Sequence, residues 1–269
     1  MILVRPKSSA HWYASDGTPR HTVIGSKGVE RATTLRDARQ LNLFPSVTSV
    51  LGVLAKPGLE AWKQEQAILA AITLPRIAGE GDDAFAARVV RDMDAQVERA
   101  CDFGTRIHLA IESANAGAPE LAAPEVAPWL THYETWRTAN ILRIVSAEQS
   151  VICDGYAGRF DMLADHQEHG LCLVDFKTQN VKKGKPTFYE TWCWQLAAYR
   201  RALGVKCRCL SLVIDSNTPG APAEKLWSED ELMDGLEIFT AAVLIWQKQR
   251  GYVPELSPFH ANTTAAAVA

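Results

Sequence analysis

The sequence predicts an α/β fold, a mixed β-sheet flanked by helices, with a helical N-terminal portion and a small N-terminal hairpin. Three observations predict it. Apolar residues recur at helical spacing through most of residues 44–140. Residues 141–179 then hold apolar, β-rich runs separated by polar turns. Helix, strand and helix patterns follow, an order that suits a sheet covered by helices. At 269 residues, with 47% hydrophobic and 22% charged residues, the chain can bury a sizeable core and has an ordinary globular composition.

The elements follow in order. Residues 11–24, HWYASDGTPRHTVI, read as a hairpin around Asp16-Gly17, a dipeptide suited to positive φ angles. TTLRDARQLNLF suggests a short helix with a threonine cap. The chain is extended up to Pro45, and Ser46 or Thr48 can cap the helix SVLGVLA. Pro57 and Gly58 break that helix, and LEAWKQEQAILAAI resumes it with Leu59, Trp62, Ile68 and Leu69 at helical spacing. LPRIAGEGDD is a loop. From Asp83 to about Ala114 the pattern is helical, with Phe85, Val89, Met93, Val97, Ile107 and Ile111 for a buried face. Gly104 inside it marks either a close backbone approach or a break between two helices. ANAGAPELAAPEVAP is a connector, and VAPWLTHYETWRTAN a helix ending near Asn140. Later, FYETWCWQLAAYRRALG is a helix stopped by Gly204, KCRCLSLVIDS a strand and SEDELMDGLEIFTAAVLIWQKQR the last helix. The tail at 261–269 is expected to be disordered.

Several classes are disfavoured. No apolar run reaches the roughly 20 residues that a membrane span needs. The N-terminus lacks the pattern of a secretory signal, so a cytoplasmic address, in a bacterium or a phage-infected host cell, is the expectation. The six cysteines include no C-x-x-C pair and read as reduced thiols, several of them buried. The net charge of −3 announces no nucleic-acid partner, although Lys177, Lys182, Lys183 and Lys185 form a local basic stretch.

The segment from Gly158 to Tyr199 carries chemistry. Val174-Asp175-Phe176-Lys177 reads as a strand, on which Asp175 and Lys177 share a face while Phe176 packs behind. Gly158–Leu163 reads as its partner, with the turn at His166–Gly170. A hairpin centred near Glu168 sets Asp161 opposite Asp175, with Cβ atoms about 4.5–5.5 Å apart. Two carboxylates that close repel unless a cation lies between them, and a hard divalent ion suits oxygen ligands. A lysine on the same face can orient a water and neutralise charge that grows on a phosphate. Taken alone, a D-x-K pair is common and could be an ordinary exposed ion pair. Gln195 and Tyr199, four apart on the following helix, project from one face. Gly104-Thr105-Arg106-Ile107-His108 puts an imidazole on an earlier helix.

The series GT-x-x-H, G-x-x-D, D-x-K-T and Q-x-x-x-Y resembles the motifs of RecB-like nucleases of the PD-(D/E)xK superfamily. Here it reads Gly104-Thr105 with His108, Gly158 with Asp161, Asp175-Phe176-Lys177-Thr178, and Gln195 with Tyr199. Pro45-Ser46-Val47-Thr48-Ser49-Val50-Leu51 followed by Leu59-Glu60-Ala61-Trp62-Lys63 is similar to a segment of the mitochondrial genome maintenance exonuclease group and its phage and bacterial relatives. The likeness covers roughly residues 44–204. It implies a restriction-endonuclease-like core and Mg²⁺ or Mn²⁺ held by His108, Asp161, Asp175 and the Phe176 carbonyl. It makes Lys177 the catalytic lysine and Glu148 a candidate outer ligand or water contact. Gln195, Tyr199, Thr178, Thr105, Lys182 and Lys183 are then expected to support the site or contact DNA. Relatives with an iron–sulfur cluster carry a cysteine cluster after the Q-x-x-x-Y helix. Cys207 and Cys209 do not supply one, so no iron–sulfur centre is expected.

The resemblance thus implies a metal-dependent exonuclease acting on single-stranded DNA or DNA ends. An inactive nucleic-acid-binding module and a structure-specific endonuclease on the same fold are the alternatives. A helicase or annealing partner is compatible with such a family, but no residue here shows one. The expected organisation is a hairpin-bearing extension at 1–43, a nuclease domain at 44–260 and a tail at 261–269.

Overall fold

The computed structural model describes residues 11–26, 28–119 and 122–256, so the expected disordered tail lies outside the described residues. The chain divides into two compact units, Met1–Val53 with Thr131–Ala269, and Leu54–Leu130.

In the first unit, β1 (Trp12–Tyr13) pairs with β4 (Phe44–Pro45), and β2 (Thr22–Ile24) pairs with β3 (Glu30–Ala32). Asp16-Gly17 does form a turn: Gly17 has φ +83° and the Asp16 carboxylate accepts the Thr18 N–H at 2.9 Å. Pairing across that turn is limited to a bridge between Tyr13 and Pro19, because proline offers no N–H to extend a ladder. The ladder partner of β2 is therefore β3. Helix α1 (Leu35–Leu41) starts at a capping box in which Thr34 and Asp37 satisfy each other's backbone N–H groups. Helix α2 (Val47–Leu51) starts at Ser46, whose hydroxyl accepts the Ser49 N–H at 3.0 Å.

The main sheet has the order β5 (Ile141–Cys153), β6 (Tyr156–His166), β7 (Gly170–Gln179), β8 (Arg208–Asp215), β9 (Ala223–Trp227). Only the β7–β8 pair is parallel, so the sheet is mixed. The parallel pair is joined by helix α6 (Glu190–Leu203), which ends where Gly204 turns into the left-handed region at φ +71°. Strand β9 escaped the sequence reading, since AEKLW is five residues long and follows a proline-rich turn. Helix α7 (Glu229–Arg250) starts at a second capping box, Ser228 with Glu231. It lies against α6, where a Cβ on Gly235 would come within 3.0 Å of the Trp194 ring. Helix α5 (Ala127–Asn140) sets Tyr133 edge-on to Phe176, with ring centroids 5.5 Å apart. Phe160, Met162, Leu163, Leu173, Phe176 and Leu196 are among the fully buried side chains. The six cysteines are free thiols, four of them buried, and burial pushes those of Cys172 and Cys193 up to about 12.

In the second unit, α3 (Pro57–Thr73) packs on α4 (Asp82–Asn115). Pro57 occupies the first turn of α3, where its missing N–H costs nothing. Helix α4 runs unbroken through Gly104, burying Val89, Ile107 and Ile111. Arg88 forks onto Glu80 at 2.8–2.9 Å and holds the Pro75 carbonyl, which fixes the loop between the two helices. Among the described residues, no helix is long and apolar enough to cross a membrane.

Candidate active site

The geometry begins with register. Met162 pairs with Val174 at the end of the β6–β7 ladder, so one further residue sets Asp161 opposite Asp175. On the other side of β6, the pairs Ala147–Met162 and Gln149–Phe160 bracket Glu148 and Asp161. Glu148, Asp161 and Asp175 are thus neighbours on three consecutive strands. The β6–β7 ladder stops here for a reason. Its next backbone partner would be Phe160, but the Phe176 N–H donates to the Asp161 carboxylate at 2.6 Å. Asp161 occupies the fork between the strands.

Asp175 is 2% exposed, and Lys177, two residues on and on the same face, holds it at 2.5 Å. Phe176 points the other way, onto Tyr133. Burial pushes the Asp161 carboxyl above the ordinary aspartate range, while the Lys177 ammonium and the Phe176 N–H pull it down. A buried carboxylate, Asp175, and a half-buried one, Asp161, facing one ammonium leave a negative balance, and a divalent cation with oxygen ligands fits it. The donors present, two aspartate carboxylates, are hard oxygens and suit Mg²⁺ or Mn²⁺ rather than a soft metal.

Glu148 departs from strand geometry, with φ +52°. In that conformation Arg159 holds both its carboxylate, at 2.8 Å, and its carbonyl, at 2.9 Å. A non-glycine residue in the left-handed region costs about 1–2 kcal/mol, and strain of that kind gathers where function demands a particular side-chain position. Sequence reading missed Arg159. Its position two residues before Asp161, inside the G-x-x-D element, was the available signal.

Tyr199 is buried, and its hydroxyl accepts a hydrogen bond from the Gln195 amide at 3.1 Å. Burial and then the charge of Asp175 raise its phenol well above the ordinary tyrosine value, with Asp161 adding to the effect, so it stays protonated. A Cβ on Gly158 would sit 2.4 Å from the Tyr199 ring, which explains the glycine of that element. Tyr199 thus lies close enough to both aspartates to feel their charge, and at 5% exposure it has almost no surface for a base.

The basic loop follows β7 directly. Gln179 clamps its far end through two hydrogen bonds with Thr187, at 2.8 and 3.1 Å. Asp215, at the end of β8, accepts the N–H groups of Val181 at 3.3 Å and Asn217 at 2.9 Å. Lys182 is exposed on the 3-10 turn Lys182–Gly184 that these contacts hold, and Lys183 belongs to the same turn. Neither Gln179 nor Asp215 was singled out from sequence. Thr178 alternates with Lys177 and so lies on the Phe176 face of β7. His108 and Thr105 are on α4, in the other unit; His108 is half-buried, and the exposed Thr105 hydroxyl donates to the Cys101 carbonyl at 3.0 Å.

No family model and no curated protein matches the chain. Among solved structures, it is similar to a candidate exonuclease from Eubacterium rectale, with a TM-score of 0.37 and 10% identity over 60% of this chain and 74% of that one. It is also similar to an alkaline exonuclease from Laribacter hongkongensis, with a TM-score of 0.27 and 14% identity over 71% of this chain and 98% of that one. Likeness at that level leaves the chemistry to the side chains.

Proposed function

We propose that the protein is a metal-dependent DNA nuclease of the RecB-like PD-(D/E)xK type, cutting single-stranded DNA or DNA ends exonucleolytically. One observation carries the reading: Asp161 and Asp175 face each other across a strand fork, with Lys177 on the same strand face as Asp175. Bound Mg²⁺ or Mn²⁺ would supply an activated water and a Lewis acid for the phosphate. Asp161, Asp175 and the Phe176 carbonyl would hold the ion, with Glu148 within reach as an outer ligand. The resemblance adds His108 to that set, and the metal affinity of a His108→Ala protein tests the addition. Lys177, steadied by Asp175, offers its ammonium to a phosphoryl oxygen, where charge accumulates as the bond to the leaving oxygen breaks. Tyr199 and Gln195 fix the wall behind the acids. Lys182 and Lys183 supply sequence-independent phosphate contacts, and Thr178 and Thr105 are proposed to support the site.

The test is a time course on end-labelled single-stranded and duplex DNA with EDTA, Mg²⁺ or Mn²⁺, beside folded Lys177→Ala and Asp175→Ala proteins. Metal-dependent release of short products, lost in both variants, supports the nuclease. Cleavage of closed circular single strands would make it an endonuclease. Binding without products in either metal would replace the reading with that of a nucleic-acid-binding module.

A further inference from the structure

Away from the acids, three other side chains converge. His166 closes β6, His169 lies in the turn to β7, and Glu224 is on the edge strand β9. One ligand atom from each lies within 4.8 Å of the other two. The two imidazoles stack with centroids 4.5 Å apart and planes 14° from parallel. His166 is 1% exposed, and its buried Nε2 has no hydrogen-bond partner. A buried polar atom left unpaired costs about 1–3 kcal/mol and calls for an explanation.

We infer that His166, His169 and Glu224 form a second metal site, for a borderline divalent ion such as Zn²⁺. Two imidazoles and a carboxylate match that ion's preferences, and three protein ligands leave a fourth position for water. Glu224 is already oriented for the task. The indole N–H of Trp136 donates to its Oε2 at 2.9 Å, which leaves Oε1 to coordinate, an outer contact of the kind that fixes metal ligands. The Glu168 N–H donates to His166 Nδ1 at 3.1 Å, so the neutral ring carries its proton on Nε2. Coordination through Nε2 moves that proton to Nδ1. It gives up one hydrogen bond in a turn where water can replace it.

The site is separate from the acid pair. His166 lies five residues beyond Asp161 along β6, about 16 Å at strand rise, and its nitrogen donors differ from the oxygen donors there. Its position sets its use. A metal would tie the β6–β7 turn to β9 across the sheet, stapling the edge strand that backbone pairing holds from one side only.

The test titrates Zn²⁺, and Co²⁺ as its coloured substitute, into the full chain carrying Asp161→Asn and Asp175→Asn, which silences the acid site. One ion per chain by native mass spectrometry, Co²⁺ absorption bands of low-coordinate geometry and a Zn²⁺-dependent rise in Tm are expected. His169→Ala and Glu224→Gln, at positions exposed enough to fold, should each weaken binding at least about tenfold and remove the rise. No bound ion, or affinity unchanged in both variants, overturns the site. Neither result depends on whether the protein cuts DNA.

Discussion

The backbone N–H of Phe176 donates to the Asp161 carboxylate at 2.6 Å, so the acid proposed to hold a cation also closes the fork between β6 and β7. The two roles separate by substitution. Asp161→Asn keeps an oxygen for that N–H and removes a charge that burial disfavours. Asp161→Ala strands the N–H. In EDTA, the asparagine variant should be at least as stable as the parent, while the alanine variant loses about 1–3 kcal/mol. Both should lose cleavage. Urea denaturation and the end-labelled assay read the two effects, and equal stability of the variants would show that the Phe176 contact contributes nothing.

Gly158 and Tyr199 form a steric pair, since a Cβ on the glycine would come within 2.4 Å of the ring. Gly158→Ala should destabilise by about 1–3 kcal/mol through overpacking against the Tyr199 ring. In a Tyr199→Ala background the same change should be nearly free. A double-mutant cycle measures the difference, and additive effects would refute direct contact.

Much of this was legible in the sequence because it depends on local rules. The register that sets Asp161 against Asp175 follows from alternation about a turn at Glu168, and Met162 does pair with Val174. Thr34 and Ser46 cap helices through their hydroxyls, and Gly204 stops one because, without a side chain, it enters the left-handed region freely. What was not legible depends on backbone departures and distant partners. No propensity puts Glu148 at φ +52°, because its conformation is held by Arg159 on the next strand. Strand β9 is a short edge element whose pairing with β8 lies across a proline-rich turn. The cluster joins His166 and His169, three apart in a turn, to Glu224 more than fifty positions on, so spacing showed at most the histidine pair and not the third residue.

Glu148 inverts the usual strand preference. Glycine ordinarily weakens a strand relative to alanine. At φ +52° alanine meets a penalty that glycine avoids. Glu148→Gly should therefore be more stable than Glu148→Ala by about 1 kcal/mol. Both lose the carboxylate that Arg159 holds and keep the carbonyl, so their difference isolates the backbone. If alanine is the more stable, the left-handed conformation is not the one populated in solution. Both variants should also bind Mn²⁺ more weakly than the parent if the carboxylate acts as an outer ligand, which a titration followed by Mn²⁺ relaxation would detect.

Lys182 decides whether the loop after β7 touches DNA. It is exposed, on a turn fixed by the Gln179–Thr187 clamp and by Asp215. An anchored lysine releases a counterion when it meets a phosphate, and each such contact contributes about 0.7 to the slope of log K against log salt on a single strand. Lys182→Ala should lower that slope by about this amount while weakening binding to all sequences alike. Gln179→Ala leaves the lysines in place but frees the loop end, so it should weaken binding with little change in slope. An unchanged slope in Lys182→Ala would make this lysine a solvated one and move the phosphate path elsewhere on the first unit.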